Sequence, residues 1–156
     1  MSVHQFCAKA AKGCRTVSLA DYAGRVCIVV NVASLCTMGD INMRTLTDLH
    51  ARFGDHGLSI LAFPCGQFAN QQPDTAEAFC DWAASTYHAN FDVFEKVHVK
   101  GPQQHPVFRF LATACGPVRW NYTKYLCDRA GKPLRMYEAA FPRDTFVDEV
   151  QRCLAI

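Results

Sequence analysis

The stretch "RVCIVVNVA", residues 25–33, decides the fold. It is an almost unbroken run of apolar, mostly β-branched residues, without the alternation of apolar and polar side chains that a half-buried strand shows. A strand of this composition is typical of a sheet that helices cover on both faces. The run therefore predicts the central strand of an α/β protein.

The residues after this strand predict a helix and then a second buried strand. Apolar residues recur at helical spacing, with Asn42 suited to the start of the helix and Gly54 or Gly57 to its end. The segment "LSILAF", residues 58–63, again has the composition of a buried strand. A loop, "PCGQFANQQP", follows it at residues 64–73, with a proline at each end.

The alternation of helices and strands continues in the second half of the chain. Asp74 and Glu77 form a D-x-x-E arrangement that resembles a capping box and predicts the start of a helix. The segment "DVFEKVHV", residues 92–99, predicts a third strand. The segment "HPVFRFLAT", residues 105–113, predicts a helix with Pro106 in its first turn.

The chain ends with a predicted hairpin, residues 122–137, and an amphipathic helix, residues 142–154. Together these elements predict an α/β fold with a mixed central sheet flanked by helices. Ligands of such sheets gather beyond the carboxyl ends of the strands. Cys36 and the loop at residues 64–73 both lie at such ends.

The composition limits the classes of partner. The 156 residues suit one domain, which we assign to residues 1–156. A formal net charge of +2 is too small to predict nucleic acid as the main partner. Basic residues concentrate between positions 96 and 135, so one face is expected to attract anions, including those of a lipid membrane surface. The alternative is an ordinary mixture of solvated charges.

Nine cysteines are scattered along the chain without a C-x-x-C pair. Structural zinc sites favour close pairs of ligands, so reduced thiols in a reducing compartment fit the spacing best. The first residues lack the apolar core of a secretory signal, and the predicted location is cytoplasmic. A mitochondrial location is the alternative, because Lys9, Lys12 and Arg15 precede the first acidic residue.

Cys36 is either a small core residue or a nucleophile. The thiolate is the reactive form of cysteine, and the backbone N–H groups at a helix N-terminus stabilise it. Candidate side-chain donors are Gln67, in "FPCGQF", and the adjacent Trp120 and Asn121, in "VRWNYTKYL". Each also has an ordinary structural role: Gln67 as a polar loop residue, Trp120 as a core anchor and Asn121 as a turn residue.

Five stretches, in the family's order, resemble the glutathione peroxidase family, and most of all its monomeric phospholipid-hydroperoxide branch. They are "VCIVVNVAS" followed by Cys36, "LTDLHARFGDHGLSILAFPCGQF", "FDVF-KVHVKG", "HPVF" and "RWNYTKYLCDRAGKP". The resemblance covers roughly residues 4–150. It implies a thioredoxin-like fold.

The resemblance also implies a peroxidase with Cys36, Gln67, Trp120 and Asn121 as its catalytic residues. The Cys36 thiolate would attack hydrogen peroxide or a lipid or organic hydroperoxide and become a sulfenic acid. Glutathione would reduce this acid directly, or a second cysteine would form a disulfide that a thioredoxin-like protein reduces. No bound cofactor or metal is expected, and the absence of the family's tetramer-forming insertions predicts a monomer. The sequence leaves open whether Cys36 replaces a selenocysteine.

The choice of reductant depends on a resolving cysteine. Thioredoxin-dependent members carry one in the helix after the "FPC-QF" loop, at a position that falls on Ala83 in this chain, and Cys80 lies three residues earlier on the same helix face. The alternative for Cys80 is an ordinary buried thiol beside Phe79 and Trp82. Cys65 is a second candidate, for which a structural role is favoured. A redox sensor or disulfide-relay protein with little turnover remains the alternative function.

This chain departs from the family pattern near the expected site. Thr37 stands where the family usually has glycine, Gly66 where it has asparagine, Ala69 where it has glycine and Gln72 where it has glutamate. We expect Gly66 to leave Gln67 less firmly held, because asparagine stabilises turns through its own backbone. The stretch at residues 109–118 is also short, which would leave the site open to bulky hydroperoxides.

Overall fold

The strand expected at residues 25–33 forms the centre of a five-stranded sheet in the computed structural model, which describes residues 1–155. Ile156, the last residue of the assigned domain, lies outside the described residues. The strands are β1 (Cys7–Lys9), β2 (Thr16–Ser18), β3 (Val26–Val32), β4 (Leu58–Pro64), β5 (Asp92–Val93), β6 (Lys124–Cys127) and β7 (Pro133–Tyr137). The helices are α1 (Gly39–Phe53), α2 (Ala76–Tyr87), α3 (Pro106–Cys115) and α4 (Arg143–Leu154).

The main sheet is mixed and has the order β5–β4–β3–β6–β7. β3 runs parallel to β4 and antiparallel to β6, which in turn pairs antiparallel with β7. The carboxyl ends of β3 and β4 and the amino end of β6 therefore meet at one edge of the sheet. This edge is where the predicted site residues gather.

β3 is buried on both faces, as its composition predicts. Ile28 and Val30 pack with residues of α1, α2 and α4, such as Leu46, Phe79 and Phe146. The alternate residues of β3 pack with α3 and the N-terminal segment on the opposite face. The predicted α/β class, with a mixed sheet between helices, is confirmed.

Several predicted elements are confirmed closely. β4, the β6–β7 hairpin and α4 lie within two residues of the predicted ranges. α3 begins at Pro106, whose missing N–H costs nothing in a first turn. The side chain of His105 caps this helix by accepting a hydrogen bond of 3.1 Å from the Val107 N–H.

Two predicted helix starts are wrong. α1 begins at Gly39 and not at Asn42, whose side chain is buried and bonds the backbone oxygens of Met38 and Ala139. α2 is capped by Thr75 and not by Asp74, since the Thr75 hydroxyl accepts from the Ala78 N–H at 3.1 Å.

The strand predicted at residues 92–99 is also wrong beyond its first two residues. After β5 the regular pairing with β4 ends, and the backbone makes separate bonds: Glu95 N–H donates to Lys9 O, on β1, and Val97 N–H donates to Pro64 O, at the end of β4. The β1–β2 hairpin had no counterpart in the sequence predictions. Within residues 1–155, none of the helices combines the length and the apolar character needed to span a bilayer.

Candidate active site

Cys36 lies between the end of β3 and the start of α1. Its side chain is only 7% exposed and packs in the same cluster as Tyr122. The backbone carbonyl of Cys36 accepts a hydrogen bond of 2.9 Å from the N–H of Gly39, the first residue of α1. The thiol therefore lies beside the N-terminus of a 15-residue helix, the positive end of the helix dipole.

The loop that follows β4 forms a second side of the site. It is joined to the Cys36 loop by two hydrogen bonds, from Leu35 N–H to Gln71 O at 2.9 Å and from Ser34 N–H to the Gln72 side-chain oxygen at 2.7 Å. Gln72 is fully buried. Residues 71 and 72 are therefore held directly against the two residues that precede Cys36.

The segment before β6 forms the third side. Asn31, which is buried in β3, donates its side-chain amide to Trp120 O at 3.0 Å and accepts from Thr123 N–H at 3.1 Å. Its backbone oxygen accepts from Tyr122 N–H at 2.7 Å. These bonds fix Trp120 and Asn121 at the edge of the sheet that carries Cys36.

Asn121 is fully buried and bonded to Gln71. Its Nδ2 donates to the Oε1 of Gln71 at 2.8 Å, while its Oδ1 has no hydrogen-bond partner among residues 1–155. A buried acceptor of this kind is uncommon and is available to a donor in the site. Through Gln71, Asn121 is connected to Leu35, the neighbour of Cys36.

Trp120 forms the outer rim of the site. Its side chain is 42% exposed, and its ring packs against that of Phe68 at a centroid distance of 5.6 Å. The ammonium group of Lys100 lies 4.9 Å from the centre of the Phe68 ring. Leu35 is 63% exposed. The entrance therefore combines exposed apolar side chains with a nearby cation.

The side chain of Gln67 is directed elsewhere. Its Oε1 accepts from the N–H groups of Val99 at 2.7 Å and Lys100 at 3.3 Å, and its Nε2 donates to Lys100 O at 3.1 Å. It is thus firmly held, in spite of the glycine at position 66. The structure brings Trp120 and Asn121 together with Gln71, and it uses Gln67 to anchor the segment at residues 99–100.

Gln71 is the residue that the sequence analysis missed. It lies four positions after Gln67 in the same loop, and neither spacing nor composition separates the two glutamines. Ala69 and Asn70 both have left-handed backbone conformations, with φ of 53° and 49°. Two such residues in succession turn the chain sharply before Gln71. The sequence does not indicate this turn, because asparagine adopts the left-handed conformation readily but alanine rarely does.

Cys80 lies on α2, beside the N-terminal segment. The charges that act on it are those of Lys12, Asp81 and Glu77, and burial raises the pKa of its thiol. Lys12 itself bonds Asp81 at 2.8 Å. Cys80 and Cys36 are both free thiols. Burial likewise raises the pKa of Cys65, whose thiol lies 3.6 Å from the Gln67 oxygen.

This arrangement agrees with the comparison with known proteins. Residues 3–112 match the family model described as glutathione peroxidase. The chain belongs to the glutathione peroxidase family. It is 41% identical over 141 residues to a probable phospholipid hydroperoxide glutathione peroxidase of Mesembryanthemum crystallinum, a match that covers 87% of this chain and 82% of that one. It is also 41% identical over 143 residues to the phospholipid hydroperoxide glutathione peroxidase of Callithrix jacchus, covering 87% and 72%.

Solved structures support the same fold. The crystal structure of T. cruzi GPX1 superimposes with a TM-score of 0.80 at 28% identity, covering 99% of this chain and 97% of that one. A putative thiol:disulfide interchange protein DsbE from Chlorobium tepidum superimposes with a TM-score of 0.70 at 19% identity, covering 98% and 95%. The second likeness concerns the fold alone and confirms a thioredoxin-like architecture.

Gln67 and Gln71 can be distinguished by matched alanine variants. We expect Gln71→Ala to slow the oxidation of Cys36 by hydrogen peroxide by about 10²-fold, because Asn121 loses the acceptor that orients it. Gln67→Ala should leave this rate unchanged and lower the free energy of unfolding by about 1–3 kcal/mol, since two backbone N–H groups lose their acceptor. Stopped-flow oxidation and urea unfolding measure the two effects, and the reverse pattern would return Gln67 to the site.

Proposed function

We propose that this chain is a cysteine-dependent peroxidase that reduces hydrogen peroxide and organic and lipid hydroperoxides to water and alcohols. The observation that carries the proposal is the Cys36 thiol at the N-terminus of α1, next to the hydrogen-bonded pair of Asn121 and Gln71. Membership of the glutathione peroxidase family supports the reaction. The names of the phospholipid hydroperoxide relatives support the choice of lipid substrates.

In the first step the Cys36 thiolate attacks one peroxide oxygen. The S–O bond forms as the O–O bond breaks, so the sulfur loses two electrons and becomes a sulfenic acid. The departing alkoxide or hydroxide takes a proton and leaves as alcohol or water. We assign the N–H donors at this point to Trp120 and Asn121, with Gln71 in place of Gln67 as the residue that holds Asn121.

In the second step a thiol attacks the sulfenic sulfur and water leaves. Glutathione would form a mixed disulfide with Cys36, and a second glutathione would release the Cys36 thiol and oxidised glutathione. Alternatively, Cys80 would form a disulfide with Cys36 for a thioredoxin-like protein to reduce. Cys80 is partly buried on α2, and burial raises the pKa of its thiol, which disfavours its thiolate as an attacking group.

The surface around the site suits a large apolar substrate. Leu35 and Trp120 expose apolar side chains beside the entrance, and Lys96, Lys100 and Arg119 are exposed cations of the neighbouring segments. An apolar rim with surrounding cations fits the edge of a lipid bilayer with anionic headgroups. We therefore propose peripheral contact with lipid membranes as the route to lipid hydroperoxides.

The proposal also covers the compartment, the oligomeric state and the reductant. We propose a cytoplasmic monomer, with the mitochondrion as the alternative compartment, and glutathione or thioredoxin as the reducing co-substrate. A redox sensor that passes its disulfide to a partner is the rival function. Slow turnover with every small reductant, together with a trapped mixed disulfide to another protein, would favour that rival.

Cys36→Ser tests the nucleophile. This variant should abolish peroxide consumption, because serine is a far weaker nucleophile at neutral pH and forms no sulfenic acid. Cys14→Ser, which changes an exposed thiol, is the matched control and should consume peroxide at the wild-type rate. Consumption is followed with hydrogen peroxide and a lipid hydroperoxide, and retained turnover in Cys36→Ser would overturn the proposal.

Peptide mapping distinguishes the two reductants. The protein is treated with one equivalent of lipid hydroperoxide in the presence of a sulfenic-acid trap. Because burial raises the pKa of Cys80 and so disfavours its thiolate, we expect trapped sulfenic acid on Cys36 with Cys80 still free, which points to glutathione. A Cys36–Cys80 disulfide would instead point to a thioredoxin-like reductant.

Vesicle binding tests the membrane contact. Binding to phosphatidylcholine vesicles that contain anionic lipid should weaken as sodium chloride rises, because surface charges are screened. Lys100→Glu should weaken binding more than Lys132→Glu, an equal change of charge in the β6–β7 hairpin at the opposite edge of the sheet. Equal effects of the two variants, or binding that is insensitive to salt, would exclude an electrostatic contact at the site.

A further inference from the structure

Lys124, the first residue of β6, is a fully buried cation near the site. Its Nζ donates to three oxygens: Asn42 Oδ1 at 2.6 Å, Tyr122 O at 2.7 Å and Glu138 O at 3.0 Å. The same nitrogen lies over the Phe141 ring, 4.1 Å from the ring centre. The reaction described above makes no use of this group.

The contacts of Lys124 favour its charged form. An ammonium group has three N–H donors, which match the three oxygens, whereas a neutral amine would leave one oxygen without a donor. Burial lowers the pKa of Lys124 to about 7. The three oxygens and the aromatic face are the contacts that stabilise the ammonium form. Glu138 contributes only its backbone oxygen, so no carboxylate contacts Nζ within residues 1–155.

One of these contacts leads to the Cys36 loop. Asn42, which accepts from Lys124, donates through its Nδ2 to Met38 O at 2.8 Å. Met38 is the N-cap residue of α1 and lies two positions after Cys36. Asn42 therefore connects Lys124, through two hydrogen bonds, to the turn that carries Cys36.

The second contact leads to the donor segment. Tyr122 O, which also accepts from Lys124, belongs to the residue after Asn121. Tyr122 has a left-handed backbone with φ of 60°, a conformation that a bulky residue adopts only when its surroundings hold it. Its hydroxyl donates to Ala33 O at 2.8 Å, on the strand end that leads to Cys36.

We propose that Lys124 is a positioning residue for the reaction of Cys36, because its ammonium group joins the Trp120–Tyr122 segment to the first turn of α1. This inference rests on the proposed peroxidase function. Loss of the ammonium group lets the donor segment and the thiol move relative to one another. A displacement of about 1 Å at reacting groups is enough to cost about 10²-fold in rate.

Lys124→Met is the direct test, because methionine fills much of the same space without donors. The rate constant for oxidation of Cys36 by hydrogen peroxide should fall by about 10²-fold. The pH profile of Cys36 alkylation by iodoacetamide, followed by peptide mass spectrometry, should move to higher pH, because the turn that Asn42 and Met38 hold no longer keeps the thiol at the N-terminus of α1. Lys132→Met, an exposed lysine of the hairpin, is the control and should change neither quantity.

Two further variants separate positioning from folding. Lys124→Arg keeps the charge and the donors and should restore a large part of the rate. Asn42→Ala removes the connection to Met38 but keeps the other two acceptors of Lys124, and it should slow oxidation in the same direction. Circular dichroism and urea unfolding establish which variants are folded.

The outcomes are distinguishable. A folded Lys124→Met with wild-type oxidation rate and alkylation profile overturns the inference, even if its stability is lower. If Lys124→Met does not fold, a wild-type rate in Asn42→Ala overturns it. If wild-type Cys36 is not oxidised by peroxide, the proposed function fails, while the alkylation profiles still decide whether Lys124 positions the site.

Discussion

The geometry of the site depends on the hydrogen bonds of one buried side chain, that of Asn31. The ladder between β3 and β6 ends before Asn31, and the amide of this residue continues it by bonding the backbone of Trp120 and Thr123. The segment that carries Asn121 is therefore held as firmly as a strand. An apolar residue at position 31 would leave the Thr123 N–H unpaired, at about 1–3 kcal/mol, whereas Trp120 O would keep its bond from the Thr123 hydroxyl.

Burying polar side chains around the site costs free energy, and this cost favours the single arrangement in which they are hydrogen-bonded. Asn31, Asn42, Asn121 and Lys124 are all fully buried at the same edge of the sheet. Polar groups in such surroundings destabilise the fold unless they are paired, so only the arrangement that satisfies them is stable. The one atom left unpaired in this set is Oδ1 of Asn121, within the proposed site. Within residues 1–155, the buried polar side chains at this edge are therefore all hydrogen-bonded except for one acceptor atom, the Oδ1 of Asn121.

Much of the fold could be predicted because the signals are local. The composition of β3 and β4 identifies buried strands, and Pro106 marks the start of α3. The predicted helix starts and strand ends are wrong where tertiary contacts determine the backbone conformation. Asn42 resembles a cap but lies inside α1, because Met38, Ala139 and Lys124 satisfy its amide. After β5 the regular strand ends and single N–H groups bond Lys9 of β1 and Pro64 of β4, and no periodicity in the sequence of this segment indicates these tertiary contacts.

The site was predictable in position more than in detail, and the loop after β4 shows why. The strand ends place Cys36, Trp120 and Asn121 at one edge, whereas the choice between Gln67 and Gln71 depends on the path of the loop. A Cβ on Gly66 would lie 2.9 Å from the backbone oxygen of Gln72 and 3.2 Å from a Lys96 side-chain carbon. A larger residue there would displace the segment that bonds Leu35 and Asn121. The glycine at position 66 is therefore coupled to the position of Gln71, and it does not loosen Gln67.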